Sequence, residues 1–117
     1  MTPTRASELV LTHDQDGYPT DEMLASIRGF VIERVEDAAW LLDAIAPHWW
    51  HPEMFRRTKR PFRAWRGGPL RHRWTVSTGG WSGNESIISA LEENHMFWAV
   101  AWVQSRRGGH YIFEAKR

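Results

Sequence analysis

The sequence predicts an α+β fold in which two helices precede a β-α-β-β unit, with three strands in one small sheet that can be mixed. Three observations predict it. Apolar residues recur at helical spacing between about residues 20 and 46, alternation takes over at 71–77 and 110–115, and glycine-rich junctions mark where the period changes. A chain of 117 residues fits one domain, 1–117, with a single modest core.

Residues 1–19 carry no periodicity and read as an irregular arm. Thr20 then precedes Asp21 and Glu22, the pattern of a capped helix start, and the stripe Met23, Leu24, Ile27 runs to a stop at Gly29. A second helix is expected from Val35 to Ala46, burying Ala39, Leu42 and Ile45 with Trp40 or Leu41 at its edge, before Pro47 ends it. Residues 49–71 read as a basic, tryptophan-rich loop.

Strand character begins at Arg71 and lasts to Ser77, with Trp74 and Val76 on one face and Arg73 and Thr75 on the other. The turn Thr78–Glu85 follows, and Ser82 with Glu85 has the spacing of a capping box for a helix bearing Ile87, Ile88 and Leu91. Met96 to Gln104 is apolar at alternate positions of both sets, which predicts a central strand and the most buried element. Ser105–Gly109 is a hairpin turn into a last strand, His110 to Ala115. If the first two strands are parallel neighbours, the helix between them crosses over one sheet face with the usual right-handedness.

Composition removes several chemistries. With no cysteine there is no disulfide, thiolate nucleophile or zinc–cysteine cluster. His48 and His51 stand beside Glu53, but Pro47 and Pro52 interrupt the helix that would align them, so neither a metal nor a cofactor is expected. No apolar run approaches the roughly 20 residues of a membrane span, and Met1–Arg5 lacks the apolar region of a secretory signal, so the expected location is the cytoplasm, without membrane contact.

The formal charge of +1 hides a basic block: Arg56, Arg57, Lys59, Arg60, Arg63, Arg66, Arg71 and Arg73 occur with no acid among them. Such a block attracts phosphate or simply offsets the acidic first half. Eight tryptophans exceed ordinary usage. Trp40, Trp74, Trp98 and Trp102 fall at inward positions, whereas Trp65 and Trp81 lie beside glycines in loops, where they can stack on a ligand or lid the core.

The glycine turn is the leading site. Gly79, Gly80 and Gly83 relax the limits on φ and allow close approach to backbone N–H groups, and the following helix points its positive end at the same place. A second turn, Arg106-Arg107-Gly108-Gly109, follows the next strand, and parallel strands would bring both turns to one sheet end. The expected ligand contacts are Gly79, Gly80, Trp81, Ser82, Gly83, Asn84, Arg106, Arg107, Gly109 and His110, around a phosphorylated, nucleotide-like ligand or nucleic acid. Neither turn has the P-loop or dinucleotide pattern, and each turn alone is also explained as a tight connection that needs glycine.

Two rival readings stand beside this one. A small phosphodiesterase would use Glu85 and His110 for proton transfer, with His95 and Ser82 behind them, although Glu85 already has a capping role. A protein-binding inhibitor would use Trp49, Trp50 and the basic loop, since aromatics and arginines dominate interface energetics. A homo-oligomer would add concavity that one short domain lacks.

From Tyr18 onward, four segments carry a resemblance: Tyr18-Pro19-Thr20-Asp21-Glu22, Ser77-Thr78-Gly79-Gly80-Trp81-Ser82-Gly83-Asn84-Glu85, Asn94 with Met96-Phe97-Trp98, and Ser105-Arg106-Arg107-Gly108-Gly109-His110-Tyr111. Together they resemble a family of small proteins encoded by bacteriophages of actinobacteria, a family without an established activity. The resemblance implies a phage accessory protein in the infected host cell, where nucleotides, nucleic acids and defence proteins are the targets at hand. It assigns no catalytic residue.

Overall fold

In the computed structural model, which describes residues 3–63 and 65–117, helices pack on one face of a five-stranded antiparallel sheet, an α+β arrangement. Thr20 caps α1 (Asp21–Arg28) as the sequence predicts, its Oγ1 accepting from the Met23 N–H at 3.1 Å, and the helix stops at Gly29. The segment before it is irregular apart from one 3₁₀ turn at Ala6–Glu8. It is nevertheless tied down, because the Thr4 N–H donates to Gly29 O at 2.8 Å and the Val31 N–H to Thr4 O at 2.9 Å.

α2 (Val35–Ile45) buries Ala38, Ala39, Leu41, Leu42 and Ile45, a wider stripe than the spacing suggested. Trp40 is thereby turned outward, 45% exposed, and its ring stacks on Phe30 at 5.5 Å. Within the segment read as a loop, two short strands form, β1 (Phe55–Arg57) and β2 (Phe62–Arg63), both antiparallel to β3 (Leu70–Ser77). At three and two residues they are too short for alternation to register in a sequence.

α3 (Ser82–Glu93) follows the glycine turn, but the expected capping box is absent. Trp81 is the N-cap and Ser82 is already helical, with the Glu85 N–H donating to Trp81 O at 3.0 Å. The larger correction concerns Met96–Gln104. Six of its residues belong to α4 (His95–Ala101), and only the remainder enters β4 (Trp102–Arg106), an exposed edge strand rather than a buried central one. An apolar run fits a buried strand or a buried helix equally well by period. Asn94 decides the outcome: its Oδ1 accepts from the Phe97 N–H at 3.1 Å, and its Nδ2 donates to the carbonyls of Ile27 and Phe30, each at 2.9 Å.

β5 (His110–Ala115) has the predicted bounds and a different place. The sheet order is β1-β3-β5-β4, with β2 also against β3, so β5 separates the two strands expected to be neighbours, and every pairing is antiparallel. The three-stranded sheet with a parallel crossover is therefore replaced by a five-stranded antiparallel one. A tight hairpin returns β5 antiparallel to β4, and its other edge takes the place beside β3.

Trp74, Val76 and Phe113 on the inner face join Phe55, Ile27, Leu42, Leu91 and Phe97 in one buried apolar cluster. Each such aliphatic or phenyl side chain contributes roughly 1.5–3 kcal/mol by leaving water. The indole of Trp74 also donates to Asp43 Oδ1 at 3.2 Å, which ties the sheet to α2. The opposite face has no helix over it among the described residues. No helix among those residues is long and apolar enough to cross a membrane.

Candidate functional site

β3 and β4 run in the same direction with β5 between them, so both glycine turns do sit at one end of the sheet, by a route other than the expected one. They touch. The Thr78 N–H donates to Gly109 O at 2.9 Å, and Gly109, at φ +78°, leaves no room for a Cβ because Thr78 Oγ1 occupies that space.

Much of the first turn's polar capacity is used internally. The Gly80 N–H donates to Thr78 Oγ1 at 3.3 Å and the Trp81 N–H to Thr78 O at 3.2 Å. Asn84 is fully buried, its Nδ2 donating to Trp50 O at 3.0 Å and to Thr78 O at 3.2 Å while its Oδ1 accepts from the Trp50 N–H at 3.1 Å. Gly83 is bare because the Trp81 ring lies where its Cβ would be. That ring is flanked by Tyr18 at 4.9 Å and Trp50 at 5.1 Å. Gly79 and Gly80 hold positive φ values of 64° and 75°, and Gly80 faces open space. Ser82 and Glu85 are exposed at the start of α3, separate from the sheet residues described next.

The second turn contributes differently. Arg106 and Arg107 are exposed, and Arg106 pairs across the hairpin with His110, which in turn pairs with Ser77. His110 Nδ1 lies 2.7 Å from Ser77 Oγ. Thr75, Arg106, His110, Tyr111 and Ile112 line a groove of about 270 Å³ at this end of the outer sheet face.

The rest of that face extends the groove. Register places Arg56, Thr75, Ile112 and Gln104 in one row, Arg73 and Glu114 in the next, and Phe62 beside Arg71 beyond them. Glu114 is buried and takes two hydrogen bonds from the Arg73 guanidinium, at 2.8 and 2.9 Å. Among the described residues no other carboxylate lies within ion-pair distance of Arg56, Arg71, Arg73 or Arg106. The Arg73 guanidinium sits 4.8 Å from the centre of the Phe62 ring, and that of Arg71 lies 5.6 Å from Trp65. The face is therefore cationic, with aromatic rings at the end remote from the groove.

Sequence reasoning reached Arg106, Arg107, Gly109 and His110 as ligand contacts and named Arg56 and Arg73 within a phosphate-attracting basic block without placing them at this site, but passed over Thr75, Gln104 and Ile112. The signal for Arg73 and Thr75 was present in the alternation of residues 71–77, which set them opposite Trp74 and Val76. No three His, Asp or Glu side chains among the described residues gather closely enough to hold a metal ion. Protein-family models, curated proteins and solved structures return no match to this chain.

Proposed function

We propose that this chain binds a phosphorylated, nucleotide-like ligand, and that the favoured form is single-stranded nucleic acid laid across the outer sheet face. The observation that carries the reading is the uncovered face itself: arginines from β1, β3 and β4 share it with one acid, which is already neutralised by Arg73. Guanidinium groups bind phosphate oxygens in a planar, two-point geometry, and aromatic rings offer a stacking surface to any base. The groove beside His110 and Arg106 takes a terminal phosphate or a single nucleotide in the same chemistry. The phage resemblance supplies a setting for this reading, an accessory protein acting on nucleotides or nucleic acid in an infected cytoplasm.

The test is a titration of fluorescently labelled single-stranded oligonucleotides and mononucleotides against wild type, Arg56→Ala, Arg73→Ala, Arg106→Ala and Gly80→Val. Each arginine variant is expected to weaken oligonucleotide binding by about tenfold, the loss of one charge-assisted contact. Gly80→Val, off the arginine face, is expected to bind normally if it folds. Equal affinity for all the variants, or no binding by the wild type in low salt, would sink the proposal.

A protein-binding reading has one specific observation in its favour. Tyr18 and Trp50 are 40% and 46% exposed beside Trp81, an aromatic surface next to the glycine turn.

A further inference from the structure

We infer that the groove beside His110 recognises the end of a nucleic-acid strand, taking a terminal phosphomonoester in preference to the diesters within the strand. The inference rests on the ligand reading above and divides its surface in two: the groove holds the end, and the arginine face holds the internal phosphates.

The sheet register sets the position of the groove. Ser77, His110 and Arg106 stand side by side on β3, β5 and β4, in the last row before the two glycine turns. Thr75, Ile112 and Gln104 form the row behind them. The groove lies across these two rows, lined by Thr75, Arg106, His110, Tyr111 and Ile112. At about 270 Å³ it falls just below the roughly 300–1,000 Å³ that encloses a drug-sized ligand, which leaves room for a phosphate with its sugar.

Among the described residues no acid lines the groove. Glu114 lies two rows from His110 and is held by the Arg73 guanidinium. The polar side chains that remain can all donate. Ser77 Oγ engages His110 Nδ1 at 2.7 Å, which leaves Nε2 as the ring nitrogen open to a ligand. Nε2 sits beside Gly108, where an added Cβ would stand 3.4 Å from it, and the bare turn leaves that approach uncovered. Arg106 spends one N–H on Gln104 Oε1, at a long 3.4 Å, and keeps the rest of its fork. Thr75 adds a hydroxyl, so donors reach the groove from three strands.

The number of donors selects the ligand. A terminal phosphomonoester carries a charge of about −1.5 to −2 near neutral pH and three acceptor oxygens. A diester presents a single charge and one oxygen fewer, which one guanidinium fork satisfies. The additional oxygen and charge call for further donors, and His110 and Thr75 supply them beside Arg106. A strand that ends here runs back over the sheet past Arg73 toward the rings of Phe62 and Trp65, where its bases can stack.

The test uses three single-stranded oligonucleotides of one sequence, each with an internal fluorophore, ending in a 5′-phosphate, in a 3′-phosphate or in hydroxyls alone. At least one phosphorylated strand is expected to bind wild type about tenfold more tightly than the hydroxyl-ended strand, the gain from added charge-assisted contacts. The tighter of the two identifies which end is read. His110→Ala and Thr75→Val are each expected to abolish that preference while leaving the affinity for the hydroxyl-ended strand largely unchanged, which also reports that the variant is folded. Arg73→Ala, outside the groove, should weaken binding of all three strands and preserve the preference. Equal affinity of wild type for the three strands overturns this inference and leaves the sheet-face reading standing, whereas no binding of any strand in low salt removes both. A phosphate preference that survives both His110→Ala and Thr75→Val also overturns it, by placing the strand's end outside the groove.

Discussion

Two buried asparagines organise the loops that a sequence leaves undefined. Asn84 joins the glycine turn to Trp50 through three hydrogen bonds, and its removal takes the partner from the Trp50 N–H and C=O and one of two donors from Thr78 O. Asn84→Ala is expected to cost about 2–3 kcal/mol or more in urea denaturation. Asn84→Leu keeps the volume and loses all three bonds, so it should remain destabilised, whereas a packing role alone would tolerate this near-isosteric change. His48 is sensitive to pH for a different reason. Partial burial, then the neighbouring His13, hold its pKa below the ordinary value of 6.5. The unfolded chain consequently takes up this proton first as pH falls. The stability linked to His48 is complete above about pH 6.5 and declines as pH drops through the lowered folded value. Thermal midpoints measured from neutral pH to about pH 5 should fall less steeply in His48→Asn than in wild type.

At the scale of elements, Asn94 sets the identity of the segment after it. Its Oδ1 starts α4, and its Nδ2 fastens that start to the end of α1. Asn94→Ala is expected to lose a cap and the side-chain donor to Phe30 O, while Ile27 O keeps its bond from the Phe30 N–H, about 2–3 kcal/mol together, with amide exchange accelerated first across Phe97–Ala101. If exchange rises uniformly instead, the asparagine is not the local determinant of α4. This residue also shows where the sequence stops being legible. α1, α2, β3 and β5 were readable because caps and periodicity agree there with the tertiary fold. Met96–Ala101 was misread because its residues suit either period and the deciding contact lies more than sixty positions away. Of the candidate site, the turn residues could be read from glycines. The sheet face could not, since it depends on strands of two and three residues and on where β5 inserts.

Over the whole molecule, a net charge of +1 is divided unevenly between surfaces. Basic residues near the helical layer find acids: Arg57 and Arg117 share Asp43, Arg28 meets Glu93, and Lys116 meets Glu36. On the sheet face only Arg73 does so. This asymmetry gives the binding titration a second readout. Each neutralised phosphate on a single strand contributes roughly −0.7 to the slope of log affinity against log salt, so each arginine that contacts phosphate should remove about that much when replaced by alanine. An unchanged slope would mean that the arginines act by packing rather than by charge.

The place of β5 has a consequence for how the chain reaches this structure. It fills the middle of the sheet, yet it is the last of the five strands to be synthesised. Until His110–Ala115 has left the ribosome, β3 has only its short partners on one side and β4 has none. The helices can begin to assemble through nearby contacts, whereas the sheet must wait for a pairing that spans more than thirty residues. During that interval the face of Trp74 and Val76 lacks Phe113, and β3 is open along one whole edge. The nascent chain is therefore most exposed to mispairing just before its final strand arrives.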